Sequence, residues 1–73
     1  MENTMKSTDT TVNVADKFLL TFTEASRYFG IGENKLRSMA SLEQNPDWLL
    51  HNGSRQLIKR VRLEQILMAA ETI

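Results

Sequence analysis

Cations and small polar side chains are concentrated in two stretches of this chain, and their chemistry suits a polyanionic partner. Residues 53–62 hold four cations and no acid, and residues 33–43 hold Lys35 and Arg37 among asparagine and serine. Lysine and arginine contact phosphate, whereas arginine, asparagine and serine also hydrogen-bond the edges of bases. The two stretches therefore indicate nucleic-acid binding.

Catalysis has much less support. The chain has no cysteine, and its one histidine, His51, has no neighbouring serine or carboxylate pattern that resembles a nucleophile system. A single histidine cannot form a metal site, and no P-loop sequence follows the glycines at positions 30 and 32. We expect a protein that is not an enzyme and that needs no metal and no cofactor.

Length and charge limit the number of domains and the kind of partner that this chain can have. A chain of 73 residues forms one small domain. The net charge is zero, but residues 33–62 carry six cations against three acids, so the basic bias lies where the polar residues lie. No apolar run reaches the length of a membrane span, and the N-terminus lacks a signal-peptide pattern, so we expect a soluble, cytoplasmic protein with no membrane partner.

The composition changes near residue 17. Residues 1–16 are mostly threonine, asparagine, serine, acids and small residues, which bury too little apolar surface to offset their ordering entropy. We predict a disordered tail over residues 1–16 and a DNA-binding domain over residues 17–73. The apolar run from Phe18 to Leu20 predicts a brief strand at the start of that domain.

Thr21 and Glu24 have the spacing of a capping box, which predicts a helix beginning at once. Apolar and small residues then recur at helical spacing on one face, namely Phe22, Ala25, Ser26 and Phe29. The sequence Gly30-Ile31-Gly32 predicts a short turn in which both glycines permit positive φ and Ile31 points inward.

A second helix is predicted from about Glu33 to about Glu43, with an inward stripe of Leu36, Met39, Ala40 and Glu43, of which Glu43 lies at the solvent edge. At about 100° per residue, the face opposite Leu36 is polar and uncharged at its centre and cationic at its flanks. This outward face consists of Asn34, Lys35, Arg37, Ser38 and Ser41. Its composition suits a helix in a major groove, although an ordinary solvated helix face has a similar composition.

Two strands joined by a tight turn are predicted after the loop at Pro46. Asn52-Gly53 is a typical two-residue type I′ turn, and it would pair Leu50 with Arg55 and Trp48 with Leu57. The base of this hairpin is apolar and its tip is polar and cationic, as a wing that contacts a phosphate backbone requires. A plain surface hairpin kept soluble by Arg55 and Gln56 is the alternative. We expect Trp48 to lie in the core.

A last helix, from about Arg60 to about Glu71, would close the core with Leu63, Ile66, Leu67 and Ala70. Arg60 and Arg62 lie in its first turn, where the helix dipole disfavours cations. An external anion such as phosphate would compensate for that position, and packing of the arginine stems over Trp48 is the alternative. Two helices, a basic hairpin and a third helix, in this order, predict an α+β winged helix-turn-helix domain.

Residues 18–73 resemble the small winged-helix excisionases of conjugative transposons. The resemblance rests on the segments LTFTEASRYFGIGENKLRSMA and WLLHNGSRQLIKR. It implies a non-catalytic protein that binds and bends double-stranded DNA near attachment sites and directs a tyrosine-type integrase toward excision, with further copies of itself as additional partners on DNA. The family is expected to be more basic than this chain, especially on the helix near Ser38.

The resemblance implies two sets of DNA-binding residues. Asn34, Lys35, Arg37 and Ser38 would lie on the groove-facing helix, and Asn52, Ser54 and Arg55 on the wing. From the residue chemistry we add Ser41, Gln56, Lys59 and Arg60 to the expected contacts. Two other functions stay open: a small winged-helix transcriptional regulator, and a protein-interaction adaptor without DNA binding that docks a partner through the last helix, with Leu67, Met68 and Ile73.

Overall fold

Residues 13–73, the part of the chain that this computed structural model describes, contain three α-helices and a three-stranded antiparallel sheet. The predicted α+β class, with three helices and a hairpin, is confirmed. The elements are β1 (Leu19–Leu20), α1 (Phe22–Phe29), α2 (Glu33–Leu42), β2 (Leu49–Asn52), β3 (Arg55–Lys59) and α3 (Arg60–Ala69).

Ordered structure begins before the predicted domain boundary. Val14–Asp16 form a short 3-10 helix, capped by the Asn13 side chain, and Val14 packs against the core. Most of the predicted tail, residues 1–12, lies outside the described residues. The strand predicted at Phe18 to Leu20 is present as β1.

The capping box predicted at the start of α1 is present. The Thr21 hydroxyl accepts a hydrogen bond from the Glu24 amide at 3.1 Å, and the Glu24 carboxylate accepts one from the Thr21 amide at 3.0 Å. Lys17 donates a further bond to Glu24 at 2.7 Å. These donors favour the ionised carboxylate, so the Lys17 ammonium first and then the Thr21 amide hold the pKa of Glu24 below its ordinary value.

The turn between α1 and α2 uses only one of its glycines in the predicted way. Gly30 ends α1 with a φ of 70°, in the left-handed region that glycine adopts without strain. Gly32 precedes α2 with a φ of −60°, so the positive φ expected there is not needed. Ile31, between them, is half-buried and packs against the core, as predicted.

Both later helices end slightly earlier than predicted. Glu43, after α2, has extended backbone angles, and so does Ala70, after α3. The core between the helices and the sheet includes one residue or more from every main element and the Trp48 side chain, as predicted. Its buried members are Leu20, Phe22, Ala25, Leu36, Trp48, Leu49, Ile58 and Leu63.

The hairpin turn is one residue further along the chain than predicted. Asn52 pairs with Arg55, and Leu50 pairs with Leu57, so Gly53 and Ser54 form the turn. Gly53 has a φ of 63°, and the only non-glycine residue with positive φ in residues 13–73 is Asn45. Glycine at the first central position alone is the pattern of a type II′ turn, which fits strand twist as well as the predicted type I′ turn does.

The sheet has the order β1-β3-β2, so the first strand lies beside the last. Leu19 pairs with Lys59, and Leu20 pairs with Ile58. This pairing places Thr21, and the start of α1 behind it, next to the hairpin. It thereby sets the position of α1 and α2 relative to the wing.

Candidate nucleic-acid interface

A polar concave surface of about 300 Å³ lies between α1, α2 and the hairpin tip. We call it the wing cleft. Three elements line it: the start of α1, one side of α2, and the turn with the first residues of β3. The lining residues are Thr21, Phe22, Thr23, Arg37, Ser54, Arg55 and Gln56. Four of the residues predicted to contact DNA are therefore in one place.

Arg37 is held on the α2 wall of this cleft. Its guanidinium carbon lies 4.4 Å from the centre of the Phe22 ring, a cation–π distance. Its Nη2 lies 3.6 Å from the Glu33 carboxylate, one helical turn earlier. The side chain nevertheless remains 57% exposed, so its donors stay accessible to a ligand in the cleft.

Arg55 occupies the opposite wall, at the start of β3. It is exposed and has no acidic partner within residues 13–73. Ser54 in the turn and Gln56 beside it are also exposed. Asn52, paired with Arg55, is exposed at the end of β2 but does not line the cleft. The tip of the wing therefore presents one cation without an acidic partner in residues 13–73, among neutral hydrogen-bonding groups.

The outward face of α2 is solvent-exposed, as predicted. All five of its expected contact residues, Asn34, Lys35, Arg37, Ser38 and Ser41, are exposed. The Ser41 hydroxyl donates to the Ser38 carbonyl at 2.9 Å, which leaves its oxygen free to accept a further bond.

The two cationic flanks of α2 face different surroundings. Arg37 borders the wing cleft, whereas Lys35 and Ser38 border a second concave surface of about 200 Å³ between α2 and α3. Apolar side chains, including Met39, Leu42 and Ile73, line much of this second surface. The sequence pattern did not distinguish the two flanks, because helical periodicity does not say which neighbour each flank meets.

Lys59 lies away from the wing cleft. It is the last residue of β3, four residues from Arg55, which corresponds to about 13 Å along a strand. It is half-buried, pairs with Leu19, and has no acidic partner within the described residues. Its ammonium is therefore available at the base of the wing rather than at its tip.

The structure corrects the reasoning that assigned phosphate contact to Arg60. Its Nε donates to the Lys17 carbonyl at 2.6 Å, and its Nη1 lies 3.3 Å from the Tyr28 hydroxyl and 3.7 Å from the Glu64 carboxylate. The side chain is only 17% exposed. Groups of the protein itself compensate for its position in the first turn of α3, so no external anion is needed there.

Arg62 is compensated in the same way. Its Nε and Nη2 both lie 2.9 Å from Asp47 Oδ2, and its Nη1 donates to Gln65. Asp47 belongs to the loop that precedes β2. This ion pair connects the loop to α3, and it removes the second argument for a phosphate at the start of that helix.

Sequence reasoning missed the contribution of α1 to the cleft. Thr21 was interpreted through helix capping alone and Phe22 through its inward face, and Thr23 was assigned no role. Phe22 is indeed 5% exposed, but it also supports Arg37. The Thr23 hydroxyl donates to Glu33 at 2.9 Å. Only the pairing of β1 with β3 brings this helix start to the wing, and no local pattern predicts that pairing.

No group of three or more histidine, cysteine, aspartate or glutamate residues within residues 13–73 has the geometry to hold a metal ion. No helix in the same residues is long and apolar enough to cross a membrane.

Comparison with known proteins identifies the family. A model of the family described as "Excisionase from transposon Tn916" matches residues 5–73. A protein of Streptococcus agalactiae serotype V, named "Excisionase from transposon Tn916", is 45% identical over 69 residues, which cover 94% of this chain and 100% of that protein. The matched region contains the whole helix-turn-helix, the wing and α3. This chain belongs to the Tn916 excisionase family.

Proposed function

We propose that this protein is a non-catalytic excisionase that binds and bends double-stranded DNA near the ends of a mobile element. Bound there, it directs a tyrosine-type integrase toward excision. Family membership supports a role in transposon excision. The observation that carries the DNA-binding step is the wing cleft, in which Arg37 of α2 faces Arg55 of the wing across polar side chains.

The proposed arrangement on DNA follows from the exposed faces. α2 lies in the major groove, where Asn34 and Ser38 reach base edges and Arg37 reaches guanine. The wing lies on the adjacent backbone or minor groove, with Arg55, Asn52, Ser54 and Gln56 as its donors. Lys35 and Lys59 contact phosphates on either side. Arg60 is left out of this arrangement, because its Nε and Nη1 contact groups of the protein and its side chain is mostly buried.

The low net charge of the protein indicates that it binds DNA together with a partner. With four available cations and zero net charge, electrostatic attraction to DNA is weak compared with that of a strongly basic domain. An integrase, or further copies of this protein on neighbouring sites, would supply the missing binding energy.

An excision assay tests the proposal. Purified integrase and a DNA substrate that carries the two ends of the element are incubated with and without this protein, and the excised circle is quantified. We expect excision to depend on the protein, and to fall strongly with the Arg37→Ala/Arg55→Ala double variant. Excision that proceeds equally well without the protein would refute the role. Footprinting on the same DNA locates the binding site.

A transcriptional regulator on the same fold remains the second function, and the excision assay separates the two because a regulator leaves integrase products unchanged. A protein-interaction adaptor is the third. It is favoured by the apolar surface between α2 and α3 and by the exposed Met68 and Ile73, which are 80% and 49% exposed, whereas Leu67 packs against the core. Partner binding without any DNA affinity would support the adaptor.

A further inference from the structure

Glu33 is an acid at the edge of a surface that we assign to DNA, which is an unfavourable place for a negative charge. It occupies the first turn of α2 and is half-buried. One of its carboxylate oxygens lies 3.6 Å from Arg37 Nη2, and the other accepts the Thr23 hydroxyl at 2.9 Å. The carboxylate therefore connects α1 to the guanidinium that lines the cleft.

The Arg37 guanidinium is restrained from a second direction. Phe22, which is buried in the core, places its ring 4.4 Å from the guanidinium carbon. Phe22 and Thr23 are consecutive residues of the first turn of α1. An exposed arginine normally loses much rotamer freedom when it binds, and one held in advance loses less.

We propose that Glu33 is a positioning residue, which fixes Arg37 for a base-specific contact and lowers the affinity of the protein for DNA of random sequence. The proposal rests on the DNA-binding function proposed above. Restraint favours the one base arrangement that fits the guanidinium, and the negative charge weakens phosphate contacts that carry no sequence information. Glu33 thus lowers affinity but raises specificity.

The Glu33→Gln substitution tests the positioning role. The amide has the same length as the carboxylate and can still accept a hydrogen bond from the Thr23 hydroxyl, but it carries no charge. Affinity is measured for a duplex recovered by repeated selection from a random-sequence pool, and for a scrambled duplex of the same composition. We expect tighter binding to the scrambled duplex and a specific-to-scrambled ratio that falls about fivefold or more, the scale of one base contact.

The same substitution in the Arg37→Ala protein isolates the positioning role. Without the guanidinium, Glu33→Gln should tighten both complexes by the same factor and leave the ratio unchanged. Glu64→Gln is the matched control, because Glu64 also pairs with an arginine one turn away, Arg60, but lies outside the wing cleft. It should leave the ratio at its wild-type value.

Thr23→Val separates restraint from charge, since it frees the carboxylate without removing it. We expect the ratio to fall while binding to the scrambled duplex stays at the wild-type level. In the Arg37→Ala protein, Thr23→Val should have no effect on the ratio of the two affinities. If the Thr23 hydroxyl instead contacted DNA directly, its loss would change the ratio even without Arg37. Circular dichroism confirms that each variant is folded.

The outcomes separate this inference from the function on which it rests. A wild-type protein that forms no salt-sensitive complex with any duplex overturns both. If the wild-type protein binds the selected duplex more tightly than the scrambled one, and Glu33→Gln changes both affinities by the same factor, only the positioning role is overturned. The positioning role is also overturned if Glu33→Gln changes the specific-to-scrambled ratio equally in the wild-type and the Arg37→Ala proteins.

Discussion

At the residue scale, the arginines of this protein have divided roles. Arg37 and Arg55 face the wing cleft, while Arg60 and Arg62 hold the fold together through groups of the protein itself. Sequence composition alone places all four in the basic stretch of residues 33–62. Their separation depends on which acids and carbonyls lie within reach, and these come from distant parts of the chain such as Lys17 and Asp47.

Replacing Arg37 with alanine should impair sequence recognition. We expect a loss of about 1–3 kcal/mol on the preferred duplex, with a much smaller loss on random DNA, because a base contact disappears. Lys59→Ala should weaken both complexes about equally, because phosphate contacts are the same on every sequence. Arg27→Ala, on an exposed part of α1, controls for removal of one arginine charge. Equal losses on both duplexes for Arg37→Ala would contradict the groove assignment.

Arg60 should matter for stability rather than for DNA. Lysine lacks the planar fork that reaches the Lys17 carbonyl, the Tyr28 hydroxyl and Glu64 together. Arg60→Lys should therefore reduce the free energy of unfolding by about 1–3 kcal/mol in urea denaturation. The more exposed Arg62 serves as the comparison, and Arg62→Lys should cost less than about 1 kcal/mol. A stable Arg60→Lys protein with lost DNA affinity would restore Arg60 to the interface.

At the scale of elements, local signals predicted the helices well. A capping box, a left-handed glycine and apolar spacing all act within one or two turns, so α1 and α2 could be located from the sequence. The hairpin was also predicted, but Asn52-Gly53 and Gly53-Ser54 both satisfy turn chemistry. The observed pairing differs from the predicted one by two residues of relative register, so each side chain keeps its predicted face and only its position along the strand changes.

The cap of α1 should make stability depend on pH at the acid end. The pKa of Glu24 is lowered in the folded protein, first by Lys17 and then by the Thr21 amide. Its ionised form therefore contributes stability above the ordinary pKa of a glutamate, and this is lost as pH falls through the lowered value. Glu24→Gln should flatten that part of the curve of unfolding free energy against pH. An unchanged acid slope in this variant would contradict the assignment.

The wing turn should be sensitive to a single methyl group. A Cβ at Gly53 would meet no atom within 4 Å, but the φ of 63° is strained for alanine. Gly53→Ala should cost about 1–2 kcal/mol of stability in thermal or urea unfolding. Gly32→Ala is the matched control, since its Cβ site is also open and its φ is −60°, and it should change stability by less than about 0.5 kcal/mol. Equal effects of the two substitutions would argue against strain at the turn.

At the scale of the whole molecule, the sequence predicted two of the three elements that line the wing cleft but not how they are assembled. The exposed polar face of α2 and the basic wing were found from composition and periodicity. The third wall of the cleft, the start of α1, was not, because it depends on the pairing of β1 with β3. Contacts between residues far apart in sequence leave no periodic pattern to read.

The dependence of DNA affinity on salt should report how many phosphates the molecule contacts. Three cations of the proposed interface are assigned to the DNA backbone, Lys35, Arg55 and Lys59, whereas Arg37 is assigned to a base. Neutralising about three phosphates gives a slope near −2.7 for log K against log salt concentration. The Arg55→Ala/Lys59→Ala double variant should reduce the magnitude of the slope by about 1.8. A gel-shift or fluorescence titration measures both, and a slope near zero would exclude a backbone contact.

The central position of β3 has a consequence for how the domain is made. β1 can pair only with residues that follow it by about 40 positions, Lys59 after Leu19 and Ile58 after Leu20. The sheet is complete only after the entropy of closing that long loop has been overcome. During synthesis, α1 and α2 leave the ribosome before the strand that positions them beside the wing. The proposed DNA-binding surface is therefore assembled only after β3 has left the ribosome.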